Sequence, residues 1–453
     1  MAGPKLQLLS ETTRRLIRRQ ATANLKRIFD KTHPVDIAHL FEYLNEREQR
    51  VIFDLIGDSE KAAQVLSEID KSSSAQLLEG IEKHRITEIL QAMSSDDRAD
   101  FISELPEELA EEILSLMAKK HSDQVEDLLS YEEDTAGRIM TPDFFALTDE
   151  TSAKEAIEAL QKASEAEMVF YVYVVDDRSH LVGVISLRQL ITVPPTKKLR
   201  EIMVHDVISV RTGMDQEEVA RVVERYDILA VPVVDEENKL VGIITVDDII
   251  DVIREEATED IMKMAGTHED EFVYRDNVFK VSRLRLPWLL TNLFGGLITG
   301  YLLWIFRVTI RDVLALVTFI PVITAMGGNV GVQSSSIMIR GFATGRVGFD
   351  SLRRFLFREV RVGVIMGTAC GIAVGLVGYF WHGNPTIGLV VGIAMVVAMT
   401  IASTMGTLTP AFFKKIKVDP AIASGPFVTT ANDITGILVY FGVATLFLRH
   451  LIH

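Results

Sequence analysis

Cysteine is almost missing from this 453-residue chain: Cys370 is the single one, which excludes a disulfide framework and a thiolate zinc site. It lies in an apolar stretch and reads as a small core residue. His121, His180 and His205 stand apart from one another, and neither a nucleophile–base pair nor a phosphate-cradling glycine loop accompanies them. The chain is therefore not expected to be an enzyme. Acid is the other scarcity, but only in the back of the chain. From Pro287 onward there are 5 acidic residues, Asp312, Asp350, Glu359, Asp419 and Asp433, against 12 Lys and Arg. With 63 acidic and 47 basic residues overall, the first 286 hold 58 and 35, so the front is −23 and the back +7. An acidic front repels nucleic acid and anionic lipid and attracts cations, so metal ions, divalent cations among them, or basic partners are expected and nucleic acid is not. The opening MAGPKLQLLSETTRRLIRRQ lacks the continuous apolar core of a secretory signal, which predicts a cytosolic front.

Residues 21 to 135 show apolar side chains at three and four spacing, as in Ile37, Leu40, Phe41 and Leu44, with polar punctuation at Ser94-Ser95-Asp96. Short helices recurring in this way predict an all-α array. Between 138 and 253 the chain repeats itself. Val174-Val175-Asp176 and Leu181-Val182-Gly183-Val184-Ile185-Ser186 recur as Val233-Val234-Asp235 and Leu240-Val241-Gly242-Ile243-Ile244-Thr245, at an offset of 59 residues. Each copy reads helix, apolar strand, Asp turn, strand with Gly, helix. The pair resembles a tandem CBS module, a regulatory unit that often binds adenine nucleotides. The resemblance implies that the Asp of a terminal T-x-x-D takes the ribose hydroxyls. Thr245 and Asp248 keep that pattern, whereas the first copy has Ser186 and Gln189. At most one site for ATP or another adenine nucleotide is expected, with Tyr171 and Arg188 as further candidates.

Behind Arg283 and Arg285 come five apolar stretches, at 287–306, 313–339, 360–382, 386–412 and 421–448. Each reaches the roughly 20 residues that cross a hydrocarbon core. Arg283, Arg285, the loop from Arg340 to Arg361 with its six Arg, and Lys414, Lys415 and Lys417 all fall on one side. That asymmetry predicts a multi-pass protein of the plasma (inner) membrane, with the N-terminus cytoplasmic and the C-terminus outside. Polar residues interrupt the second and fifth stretches. Asp433 is the sharpest of them, since a carboxylate inside a span costs about 2.5–3.5 kcal/mol on insertion scales unless water, a partner or an ion receives it. Mg²⁺ is held through a few oxygens while it keeps waters, and Asp433, Asn432, Thr429 and Thr430 offer such oxygens. Thr429 and Asp433, four apart, share a helix face.

MGGNVGVQSSSIMIRGFATG (326–345), TLTPAFFKKIKVDP (407–420) and SGPFVTTANDITG (424–436), behind a helical domain and a CBS pair, resemble the MgtE family of Mg²⁺ channels over essentially the whole chain. The resemblance implies a homodimer in the lipid bilayer, a pore at the subunit interface, and Asp433 as its selectivity carboxylate. Thr429 and Asn329 are its candidate neighbours in the pore, and Gly425 stands where some relatives have Asn. The implied division is 1–135, a cytosolic helical N domain; 136–253, the α/β CBS pair; 254–285, a connecting helix; and 286–453, an α-helical membrane domain of five helices. Acidic clusters lie ahead of the membrane: Asp248, Asp251, Glu255, Glu256, Glu259 and Asp260 on one stretch, Asp96 and Asp100 in the N domain, and Asp227 in the second CBS copy. The family implies Mg²⁺ bound between these surfaces. Gating is then expected by charge: the surfaces repel at low Mg²⁺, and at high Mg²⁺ bound ions bridge them and close the pore through the helix around 264–283. A secondary transporter of divalent cations coupled to Na⁺ or H⁺ is the alternative, because an intramembrane Asp also relays protons.

Overall fold

The computed structural model describes residues 3–69, 77–78, 80–163, 170–268, 278–423 and 425–447. It divides into two compact units, Met1–Ile253 and Arg254–His453.

The first unit opens with an all-α array of nine helices between Gly3 and Leu129 among the described residues. Local chemistry sets their starts. Asn45 accepts from the Glu48 N–H at 3.0 Å while the Glu48 carboxylate reaches back to the Asn45 N–H, a reciprocal cap. The apolar spacing seen in the sequence becomes a core in which Ile37, Leu40, Phe41, Ile52 and Phe53 are fully buried. Helix α1 (Ser95–Ser103) is pinned by the buried Arg98, whose guanidinium donates to Leu90 O at 2.8 Å and Met93 O at 2.7 Å. That anchor fixes Asp96 and Asp97 in the first turn of α1.

The duplicated segment forms two equivalent sheets. In the first, β1 (Ala146–Thr148) runs parallel to β2 (Tyr171–Val175), which pairs antiparallel with β3 (Leu181–Ser186). In the second, β4 (Val210–Arg211), β5 (Ala230–Val234) and β6 (Leu240–Thr245) repeat the order, and the register slips at equivalent places, Val174/Val175 and Val233/Val234. The two copies are crossed. Met203, from the motif that opens the second copy, lies over Gly183 of β3, and Met140, from the first, lies over Gly242 of β6. A Cβ at either glycine would come within 2.3 Å and 2.6 Å of the sulfur, which accounts for the repeated Gly as the floor of a methionine pocket. Helix α2 (Val246–Ala265) follows β6 directly.

The second unit holds five helices long and apolar enough to span a membrane: α3 (Val278–Ile305), α4 (Ile320–Ala343, led by a 3₁₀ turn at Leu314–Phe319), α5 (Phe349–His382), α6 (Pro385–Lys415) and α7 (Gly425–Leu446). Helix α5 carries Gly363, Gly367, Gly371 and Gly375 at intervals of four, on the face packed against α6. A Cβ at Gly371 would sit 2.6 Å from Gly392 O, so backbones meet there as small-residue stripes allow. Tyr440 of α7, fully buried, donates to Leu316 O at 2.7 Å and ties α7 to the turn ahead of α4.

Two boundaries differ from expectation. The arginine-rich stretch 340–361 is mostly helix, because only 344–348 separate α4 from α5. Arginine ends a hydrophobic run without ending a helix, for which it is a good former, and the Gly348 N–H donating to Ser351 Oγ at 3.0 Å caps the start of α5. The connecting segment 254–285 is not one separate helix either. Its first part continues α2 out of the CBS pair and stops at Ala265, where Gly266 takes φ +75° and donates its N–H to Lys263 O at 3.0 Å. Residues 269–277 of the expected 264–283 helix lie outside the described residues, and α3 begins at Val278.

Candidate functional site

In the membrane unit, α4 and α7 line an open cavity of about 430 Å³. Asp433 and Thr429 line it from α7, and Asn329, Gln333, Thr324 and Gly328 line it from α4. All three expected pore residues therefore share one space. The Thr429 hydroxyl donates along its own helix to Gly425 O at 2.9 Å, which leaves its oxygen as an acceptor. Among the described residues no Lys, Arg or His forms an ion pair with Asp433. The donor set is one carboxylate, two amides and two hydroxyls, all oxygen-bearing, the ligand type that a hard divalent cation takes. Gln333 and Thr324 were not singled out as contacts by the sequence reading, although Gln333 lies one turn after Asn329 on the same face.

The neighbours of Asp433 turn elsewhere. Thr430 donates to Asn292 Oδ1 of α3 at 2.9 Å. Asn432, 1 % exposed, faces α4, where a Cβ on Gly331 would stand 1.8 Å from its Nδ2. The close approach in the Gly-rich segment is thus at Gly331, whereas a Cβ at Gly327 would meet nothing within 4 Å.

In the cytosolic unit the geometry gathers acid from distant parts of the sequence. Asp96 is buried, and burial, with the charges of Asp248 and Asp97, holds its carboxyl well above the usual carboxylate range. Burial likewise pushes Asp248 up to about 7, with Asp247 and Asp97 adding to it against the Thr245 hydrogen bonds. The Asp248 carboxylate caps its own helix, accepting from the Thr245 N–H at 3.1 Å and from the Thr245 hydroxyl. Thr245 and Asp248 thus bond each other, and among the described residues no contact joins them to Tyr171 or Arg188, which sit at the Ser186 end of the other sheet. Asp251 is exposed beside this group. Asp100 is ion-paired with Arg138 at 3.1 Å, and Asp227 is exposed in the left-handed turn that ends the helix Gln216–Tyr226 (φ 51°). The structure therefore groups Asp96 with Asp248, leaves Asp100 matched to a guanidinium, and does not draw Asp227 into the group.

The rest of the acidic stripe belongs to the membrane unit. Glu255 is exposed and Glu256 half-buried, while Glu259 and Asp260 lie nearer the end of α2. There Lys263 Nζ contacts Glu259 Oε1 and Asp419 Oδ2, both at 2.5 Å. Burial and the Asp419 charge raise Asp260 to about 6. Lys263 and Asp419 were absent from the expected site, being 156 residues apart in sequence. Among the described residues no group of three or more His, Cys, Asp or Glu is arranged to hold a metal ion.

Comparison with known proteins matches this architecture segment by segment. Residues 32–134 match the MgtE intracellular N domain, 136–195 and 199–255 match CBS domains, and 320–443 match the family described as divalent cation transporter, MgtE. The magnesium transporter MgtE of Bacillus subtilis is 38% identical over 448 residues, 96% of each chain. The chain belongs to the MgtE family. The MgtE magnesium transporter of Thermus thermophilus is 39% identical over 94% of this chain and 96% of its own. Among solved structures, the cytosolic domain of the Mg²⁺ channel MgtE in complex with ATP covers 54% of this chain and 99% of its own, at 37% identity and a TM-score of 0.52. The family is described as divalent cation transporter, and among the described residues this member of it has five helices long and apolar enough to cross a membrane.

Proposed function

We propose that this protein is a homodimeric Mg²⁺ channel of the plasma membrane in which Mg²⁺ passes the Asp433 cavity and cytosolic Mg²⁺ closes the path by binding the acidic surfaces around Asp96, Asp248 and Asp251. The observation that carries the reading is the convergence of Asp433, Thr429 and Asn329 on one cavity between α4 and α7. Asp433 serves as the fixed charge, and the amides and hydroxyls replace part of the water around the ion. In the cytosolic unit, Asp96 and Asp248 crowd each other, and a divalent ion relieves the repulsion by favouring the state in which they are close. An adenine nucleotide at the CBS pair is supported by the solved relative that holds ATP. Tyr171, Arg188, Thr245 and Asp248 are its candidate contacts here, the helix-capping bonds of Asp248 using one of its two carboxylate oxygens.

Asp433→Ala and the shape-preserving Asp433→Asn, reconstituted in vesicles, are expected to lose selective Mg²⁺ influx by about 100-fold or more, the scale of removing a buried charge partner. Normal flux in both variants would remove Asp433 from the path.

A further inference from the structure

Helix α5 opens with arginine and then turns apolar, and one of its faces carries both. Arg354, Arg358 and Arg361, followed by Ile365, Ile372 and Leu376, stand three, four or seven residues apart, which places them on a single stripe, and all six are exposed. Among the described residues none of the three guanidiniums is in an ion pair. The acids of these turns do not answer them. Glu359 is turned into the bundle, where it accepts from Ser334 Oγ at 3.1 Å, and Asp350 lies a turn ahead of Arg354 without an ion pair. Arg358 is steadied instead by the ring of Phe355, 5.9 Å from its guanidinium carbon, a contact that leaves its N–H groups free to donate.

Farther along the same stripe, α5 and α6 leave an open groove of about 500 Å³. Ile372, Leu376 and Tyr379 wall it from α5 and Leu389 and Ile393 from α6, and no charged side chain lines it. At its near end the Thr368 hydroxyl donates to Val364 O of its own helix at 2.7 Å, so that end presents carbon. At 1.5 Å per residue, Thr368 lies about 10 Å and Ile372 about 16 Å along the helix from Arg361. One leaflet is about half of the roughly 30 Å hydrocarbon core, about 15 Å. A chain anchored at Arg361 therefore reaches the near end of the groove. A water-soluble anion would answer the arginines and leave the groove bare, and an uncharged apolar molecule would do the reverse.

We propose that this stripe seats an anionic phospholipid of the inner leaflet, its phosphate received by Arg358 and Arg361 with Arg354 beside them, and one acyl chain laid along Ile365 into the groove between α5 and α6. Guanidinium N–H groups match phosphate oxygens in pairs. The unpaired charge selects the head and the uncharged groove selects the tail, so one molecule answers both.

The test follows the thermal midpoint of the full-length protein in a neutral detergent as phosphatidylglycerol is added, with phosphatidylcholine and soluble glycerol phosphate as the comparison probes. Phosphatidylglycerol is expected to raise the midpoint, phosphatidylcholine to match it only at about tenfold higher concentration or more, and glycerol phosphate to leave it unmoved. Arg358→Gln combined with Arg361→Gln is expected to need about tenfold more phosphatidylglycerol for the same rise, two guanidiniums being lost at the head. Arg283→Gln combined with Arg285→Gln, which removes two cations from α3, is expected to stay within about twofold of the wild type. Ile372→Trp fills the groove and is expected to weaken the response about fourfold, the scale of one displaced methylene. Equal losses in the two arginine pairs would mean diffuse surface charge and overturn the proposal, as would a rise produced by glycerol phosphate. If Ile372→Trp lowers the mass of the protein in detergent and leaves the lipid response intact, a second copy fills the groove and the proposal fails. None of these readouts passes through the Asp433 cavity.

Discussion

Asp248 and Asp96 illustrate what a carboxylate does when the fold gives it acid for company. Because Asp248 titrates near 7 in the folded protein instead of near 3.8, the folded state holds a proton that the unfolded chain has released. Between about pH 4 and 7 the folded state binds more protons than the unfolded one, so stability falls as pH rises through that window. In divalent-free buffer, the thermal midpoint of the wild type is expected to drop over this interval, and the drop is expected to shrink in Asp248→Asn. Mg²⁺ should reverse it and release protons as it binds, which a weakly buffered titration detects. An identical pH slope in wild type and variant would contradict the assignment. Asp433 and Asp248 were both legible as residues, one as an isolated charge in an apolar run and the other in a helix-long acidic stripe. Which acids meet was not legible: Asp96 and Asp248 are brought together only by the tertiary fold, and Asp100 is neutralised by Arg138, a partner with no local signature.

Elements show the same division between local pattern and contact. The five spans and the CBS repeat were readable because hydrophobic run length and a constant offset are local properties. The start of α5 was missed because its first four turns carry Arg353, Arg354, Arg358 and Arg361, and hydropathy marks where a helix becomes apolar rather than where it begins. That misplacement put Glu359 in a loop and hid its packed position. The pairing of α4 with α7 gives a sharp test. Gly331→Ala would place a methyl group against the Asn432 amide, at 1.8 Å before relaxation. Overpacking of this kind costs about 1–3 kcal/mol. The variant is expected to show a lower thermal midpoint and reduced Mg²⁺ flux, because α7 must move away from α4 and carry Asp433 with it. An unchanged midpoint would show that the two helices are not held as closely as described.

For the molecule as a whole, the long acidic helix α2 starts in the cytosolic unit and ends in the membrane unit. If Mg²⁺ sensing resides at its beginning, Asp248→Ala together with Asp251→Ala is expected to raise the Mg²⁺ concentration that closes the channel several-fold in patch recordings, about 1 kcal/mol or more of lost coupling, while open-channel current stays as in the wild type. Closure at the unaltered concentration would defeat the sensor assignment. The proposed homodimer is tested separately, by the mass of the protein in detergent, and a monomeric mass would refute it.

The two ends of α2 are not electrically alike. At its start Asp248 lies near Asp96, and among the described residues no Lys, Arg or His is paired with either, whereas near its finish the ammonium of Lys263 is already seated between Glu259 and Asp419. The protein thus carries a permanent, covalently attached counter-ion at one end and, on the proposed sensor reading, takes one from the cytosol at the other. On that reading, ion depletion loosens the start of the helix first and leaves its finish fastened, like a zip with one end sewn shut.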